Sequence, residues 1–333
     1  KRALQQFQHP TPTKHHYGPT KYVAPEYRKK IQYSTEGTLP ELTPLQRKHI
    51  KKVCGKFLYD GRSVDNTQLH ALNELSIKAT TATEETQSAL TQFLNYCASN
   101  PDATIIYRAS DMILSCDSDA AYLVAPKSRS RTGGYHYLGN KDGTQFNGPV
   151  YVLAKIINAV MASAAEAEVG ALYMNAQELS PMRTTLEELD HPQPPTPLRT
   201  DNSTADGIMN KTIKQRQSKA MDKRFYWVQD RVEQGEFRVF WALGKHNLAD
   251  YYTKYQSPAT HRALRPIYTY IEGKSPTSLQ GCVEILTRAD RPKELLLSNT
   301  DSNSKTSKAT QHSNMSDSLY KLTHRLMSRI ISR

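Results

Sequence analysis

Five carboxylates in this sequence stand where they could hold a divalent cation. Asp117 and Asp119 end the apolar run DMILSCDSD, and Glu168 lies in ASAAEAEVGALYMNAQEL. Asp201 closes PLRTD, and Asp250 follows EFRVFWA within NLADYY. Acids at the ends of successive strands, with one more on an apolar helix face, are what a magnesium site needs. Mg²⁺ takes several oxygen ligands in near-octahedral geometry and keeps some of its waters. Two such ions about 3.5–4 Å apart can activate a water and stabilise the leaving oxygen of a phosphodiester.

Each acid also has an ordinary structural reading. Asp201 could cap the helix that opens at STADG. Asp250 could interact with a helix dipole from its first turn. Glu166 and Glu168 are two residues apart, so on one helix they point in roughly opposite directions. Counting about 100° per residue, Met161, Ala165, Leu172, Ala176 and Leu179 fall within about 80° of Glu168. An ionised Glu in that stripe is costly unless something compensates it. It is then either an edge residue reaching water, or a metal ligand or partner of buried cations. Strand alternation does not choose between Asp117 and Asp119.

These residues need elements to position them. Helical periodicity runs through LQRKHIKKVCGKFLYDG, TQLHALNELSIKA and TEETQSALTQFLNYC, the last opened by a capping box from Thr81 to Glu84. After Asn100 the period becomes strand-like in TIIYRAS, DMILSCDSD, GGYHYLG and GPVYVLAKI. The long helix ASAAEAEVGALYMNAQEL follows. Then come strand TPLRTD, helices STADGIMNK and SKAMDKRFYWVQDRVEQ, strand EFRVFWA, and a final helix opened by NLADYYTKY. That order implies a mixed sheet flanked by helices. Four regions result: a Pro-rich extended arm over 1–43, a helical unit over 44–100, the mixed α/β domain over 101–273, and a disordered basic tail over 274–333. The helical unit is too small to be a comfortable domain alone and is expected to pack on its neighbour. Within the tail, Leu319, Leu322, Leu326 and Ile330 mark a terminal amphipathic helix.

The bulk composition agrees with a polyanion partner. The 333 residues carry a net charge of +12, with a pI near 9.4. Lys127, Arg129 and Arg131 could grip phosphates, as could Lys211, Lys214, Arg216, Lys219, Lys223 and Arg224 after Asp201. Such contacts position a nucleic acid without reading its sequence. Asn202 and Ser203 read as helix caps. His246, close to Asp250, could assist proton transfer or product release. The four cysteines are scattered, with no CxxC pair, which argues against structural zinc and against a disulfide scaffold. A reducing, intracellular location is expected. No apolar run approaches the roughly 18–20 residues that span a bilayer, so no membrane partner is expected. A chain starting at Lys1 reads as a fragment or a processed piece.

CDSDAAY, SAAEAEVGAL, RTDNSTA and GKHNLADYYTK together resemble the four acidic blocks of the ribonuclease H domain of copia-type LTR retrotransposon polyproteins. KSRSRTGGY and KQRQSKAMDKRFYWVQDRVEQGEFRVFW are similar to the flanking text, and residues 50–107 resemble the segment that follows the reverse transcriptase palm. Coverage is nearly continuous from about residue 40 to 272. Met221 stands where many members have His, and Ala121 where some carry an acid.

The resemblance implies an RNase H-like fold, with a mixed five-stranded sheet and flanking helices preceded by the helical C-terminal part of the reverse transcriptase. It implies Asp119, Glu168, Asp201 and Asp250 as ligands of two Mg²⁺ ions, with Mn²⁺ as a substitute. The implied substrate is an RNA–DNA hybrid cut in its RNA strand. The reverse transcriptase palm and other polyprotein products are the implied partners. No polymerase activity is expected, because no palm motif is present; LYDGR has the wrong order. Two competing readings are a catalytically inactive relic that only binds nucleic acid, and an integrase-type polynucleotidyl transferase. The second is disfavoured because Asp, not Glu, is last in order.

Overall fold

Alternation along DMILSCDSDAAYLVA sends Leu114 and Cys116 to one face of a strand and Asp117 and Asp119 to the other. In the computed structural model, which describes residues 2–22, 39–213 and 224–289, that strand is the centre of the fold. Three helices precede it after the short α1 (Arg2–Gln6): α2 (Pro44–Ser63), α3 (Leu69–Lys78) and α4 (Glu84–Ser99). Strands β1 (Ile113–Ala125), β2 (Arg129–Gly139) and β3 (Pro149–Ile156) follow, then α5 (Ala164–Glu187) and β4 (Thr196–Thr200). Next come α6 (Ser203–Met209), α7 (Arg224–Glu233) and β5 (Phe237–Trp241), and last α8 (Pro258–Tyr268) and α9 (Leu279–Ala289). Short 3-10 turns occupy Asn66–Gln68, Gly244–His246 and Leu248–Tyr252.

The five strands form one mixed sheet in the order β3-β2-β1-β4-β5. The β1–β2 and β2–β3 pairs are antiparallel, while β4 runs parallel to both β1 and β5. This is the expected α/β architecture. α5 links β3 to β4 across one face, burying Val169, Leu172, Ala176 and Leu179 against Leu114, Cys116, Leu153 and Leu198. The other face carries Tyr135, Tyr137 and Val152, covered by Leu248, Tyr251 and Tyr252 and by Leu264, Ile267 and Tyr268 of α8.

Two adjacent glycines in β2 set how closely the layers approach. A Cβ on Gly133 would lie 2.5 Å from the Ala249 carbonyl on one face. A Cβ on Gly134 would overlap the buried Asn175 amide of α5 on the other. Asn175 uses that space to donate to Ser118 Oγ, the Gly133 carbonyl and the Ala171 carbonyl, each at 3.0 Å.

The helical unit has its own core of Ile50, Val53, Phe57, Leu72, Leu90 and Phe93, and it packs on the domain as expected. Asn66 donates to the Tyr268 carbonyl and accepts from the Tyr252 hydroxyl, both at 2.9 Å. Buried Tyr96 joins Thr67, His261 and Arg265.

Several local expectations are corrected. TIIYRAS forms no strand; its backbone runs beside the sheet and bonds Gly148 and Tyr270 instead. The capping box of α4 is built by Thr83 with Thr86, not by Thr81 with Glu84. NLADYY closes a 3-10 turn, and the helix beyond it starts at Pro258, where Ser257 caps it. Residues 2–22 do not hang free: Phe7 packs on Phe57, and Gln92 donates to the Gly18 carbonyl at 2.7 Å. Order also continues past 274, because α9 buries Cys282 and Leu286 against the tyrosine-rich face. The terminal amphipathic helix expected around Leu319–Ile330 lies outside the described residues. Among the described residues, no helix is long and apolar enough to cross a membrane.

Candidate metal centre

The parallel β1–β4 register pairs Cys116 with Leu198 and Asp117 with Arg199. Two residues further along each strand direction stand Asp119 and Asp201, level with one another. Neither acts as a cap. The helix after Asp201 is capped by Asn202, which accepts from the Ala205 N–H at 3.0 Å. The Asp201 carboxylate is thereby left to face the sheet's other acids. Glu168 reaches the same place from the first turns of α5, where it is 6 % exposed. Its partner in sequence, Glu166, turns away to accept from the Ala162 N–H at 2.6 Å. Side-chain oxygens of Asp119, Glu168 and Asp201 all lie within 4.8 Å of one another. That grouping could hold a metal ion.

Asp117 and Asp119 share a face but not a role. Buried Asp117 is locked in an ion pair with Arg199 and accepts the Leu248 N–H at 3.0 Å. Arg199 also donates to the His246 carbonyl at 2.7 Å. This arrangement clamps β4 to the loop after β5. Asp119 is the member that joins the acidic group, as the resemblance implies.

Each grouped carboxylate is oriented by its neighbours. Asp119 Oδ2 accepts from the Thr253 hydroxyl at 2.5 Å. Glu168 Oε1 accepts from the Ala120 N–H at 3.1 Å, and its Oε2 from the Thr200 hydroxyl at 3.4 Å. Gly244 lies against Asp201 so closely that any Cβ there would overlap Oδ2. Burial pushes the Asp119 carboxyl well above the ordinary range, with repulsion from Asp250 and Asp201 adding to it. Glu168 is raised by burial and then by Asp119 and Asp201. Asp201 is raised by burial and by Asp250.

No ion pair joins Asp119, Glu168 or Asp201 to another described residue. Lys254, which pairs with Asp250, only partly offsets the charge of Asp119 and Asp201. The crowded carboxylates therefore stay costly as anions, and a hard divalent cation with an oxygen preference removes that cost. The donor set therefore fits such an ion.

Asp250 stands slightly apart. It lies in the Leu248–Tyr252 turn, half-buried, and its carboxylate pairs with Lys254 one turn on. It is close enough to raise both Asp119 and Asp201, yet it lies outside the 4.8 Å group. His246 sits in the turn after β5. Partial burial and the cations Lys245 and Arg199 hold its imidazole below the usual value, so it is neutral at physiological pH.

The basic residues divide. Arg131 is not available to phosphate: it is 2 % exposed, donates to Asn73 at 2.9 Å and pairs with Glu74 of α3. A buried guanidinium needs a carboxylate partner, and this one ties the sheet to the helical unit. Lys127 is exposed at the tip of the β1–β2 turn, and Arg129 is half-buried beside it. Lys211 is exposed and pairs with Glu233. Lys214, Arg216, Lys219 and Lys223 lie outside the described residues; Arg224 opens α7, but its side chain is likewise outside them.

Thr253, Lys254, Gly133 and Gly244 also shape the site, though nothing in their spacing marks them as part of it. The TK after ADYY and the GG in KSRSRTGGY were visible as text, but their partners are distant in the chain. No protein-family model matches this chain, and no curated protein matches it.

Proposed function

We propose that this chain hydrolyses the RNA strand of RNA–DNA hybrids, as the ribonuclease H domain of a copia-type LTR retrotransposon polyprotein. The observation that carries the reading is the convergence of Asp119, Glu168 and Asp201 from β1, α5 and β4 within 4.8 Å, beside Asp250. The five-stranded mixed sheet that brings them together agrees with it. These carboxylates would hold Mg²⁺, with Mn²⁺ as a substitute, and the bound ion would supply a water of lowered pKa and neutralise charge developing on the leaving oxygen.

The chain's own groups do the rest. Thr253, Thr200 and the Ala120 N–H hold the carboxylates in place, so no reorganisation is needed when a phosphodiester arrives. Neutral His246 is suited to take a proton at its ring nitrogen during turnover or product release. Lys127 and Arg129 offer contacts to the backbone, and the RNA 2′-OH is the group by which the two strands differ.

The test is cleavage of an end-labelled RNA–DNA hybrid by the full chain, with Mg²⁺ and with EDTA, using duplex DNA and duplex RNA as controls. Metal-dependent cutting confined to the RNA of the hybrid supports the proposal. Well-folded protein that binds the hybrid without cutting it would favour the inactive relic.

A further inference from the structure

α2 carries four lysines in nine residues, and among the described residues no acid pairs with them. Lys48, Lys51, Lys52 and Lys56 are all exposed. None makes an ion pair or hydrogen bond to another described residue. Lys48, Lys52 and Lys56 recur every fourth residue, so they stack along one face as like charges, an arrangement that weakens a helix. The acid on α2, Asp60, is turned away and accepts from Gln68 at 2.9 Å. Between the lysines stands Gly55, exposed, with nothing within 4 Å of where a Cβ would be. Glycine in an exposed helix interior weakens the helix relative to Ala. Here it leaves a flat spot in the middle of a cationic face. Other cations near the sheet, Arg131, Arg199 and Lys254, are already paired with acids.

We propose that this face of α2 binds the phosphate backbone of a nucleic-acid duplex, the missing side chain at Gly55 letting the strand approach the helix. The face from Lys48 to Lys56 is about 12 Å long, which matches the rise of roughly three to four nucleotides of one strand along the duplex axis. Identifying the duplex as an RNA–DNA hybrid rests on the function proposed above. An anionic membrane is the poorer fit. A membrane-surface helix buries its apolar face in lipid, whereas Ile50, Val53, Cys54 and Phe57 of α2 are already buried in the helical unit.

The test is binding of a fluorescent RNA–DNA hybrid to the full chain in EDTA, so that no cleavage occurs, over a series of salt concentrations. It compares wild type with Lys48→Gln/Lys51→Gln/Lys52→Gln/Lys56→Gln and with the matching fourfold Lys→Arg variant. Each phosphate contact contributes about 0.9 to the slope of log affinity against log salt. The Gln variant should lose roughly three to four units of slope, and the Arg variant should keep it. An unchanged slope in the Gln variant overturns the proposal and leaves the hydrolytic reading standing. A reduced slope in protein that never cuts RNA supports this surface while sinking the hydrolytic reading. Vesicles rich in phosphatidylserine form a last arm. Lysine-dependent vesicle binding together with an unchanged hybrid slope overturns the proposal in favour of a membrane.

Discussion

The Thr253 hydroxyl donates to Asp119 Oδ2 at 2.5 Å across 134 residues of chain. The contact exists because Gly133, the register partner of Asp119 on β2, has no side chain. The Leu248–Tyr252 turn can therefore settle directly on the sheet, with Ala249 and Thr253 over the glycine. Tyr255, two residues further on, donates to Glu74 of α3 at 2.6 Å, and Glu74 also pairs with Arg131. One short segment thus ties an acid of the site to the helical unit.

Thr253→Val keeps the shape of the side chain and removes the donor. A hydrogen bond to the ionised form lowers a carboxyl pKa, so its loss pushes Asp119 higher still and makes cation binding compete with a proton. Mn²⁺ affinity at neutral pH, read by calorimetric titration, should fall several-fold while the circular dichroism spectrum is retained. Unaltered affinity would show that this contact is only structural.

Asp201→Asn removes one charge from the acidic group and keeps its volume. Hydrolysis of the hybrid should drop by roughly a hundredfold or more, each tenfold being about 1.4 kcal/mol of lost transition-state stabilisation. Binding of the hybrid in EDTA should hardly change. Full activity in this variant would sink the site assignment.

The two glycines separate site from scaffold. Gly134→Ala collides with the buried Asn175 amide and should cost about 1–3 kcal/mol of stability, seen as a lowered Tm. Gly133→Ala meets the Ala249 carbonyl, which the turn can relieve by lifting away. Its loss of Mn²⁺ affinity should exceed its loss of stability. Equal effects of the two substitutions would contradict the placement of the turn.

Stability should depend on pH through the acids themselves. Asp119 and Glu168 titrate above the ordinary range in the folded, cation-free chain. The folded chain therefore keeps protons that the unfolded chain releases near pH 4. Stability is lost wherever the folded state binds more protons as pH rises. In EDTA the Tm should fall from about pH 5 to about pH 8, and Asp119→Asn/Glu168→Gln should flatten that fall. Excess Mg²⁺ should restore the wild-type Tm at the upper end. An identical pH profile in the double variant would remove these acids as its cause.

Much of this molecule was legible in one dimension. Period-two and period-3.6 patterns located the five strands and the long helix, because burial of one face imposes those spacings whatever the partner. The same argument placed Glu168 on the buried side of α5 and Glu166 off it. Irregular segments were less legible. TIIYRAS has strand-like residues, but its hydrogen bonds go to Gly148 and Tyr270, which lie far along the chain. Arg131 reads as a surface cation until α3 brings Glu74 onto it. The choice of Asp119 over Asp117 also belonged to the tertiary structure. Both acids point to the same face of β1, and only the positions of Arg199 and Thr253 give one a counter-charge and leave the other to the acidic group. Local spacing determines which face a side chain takes, whereas the charge it meets there depends on residues that only folding brings near.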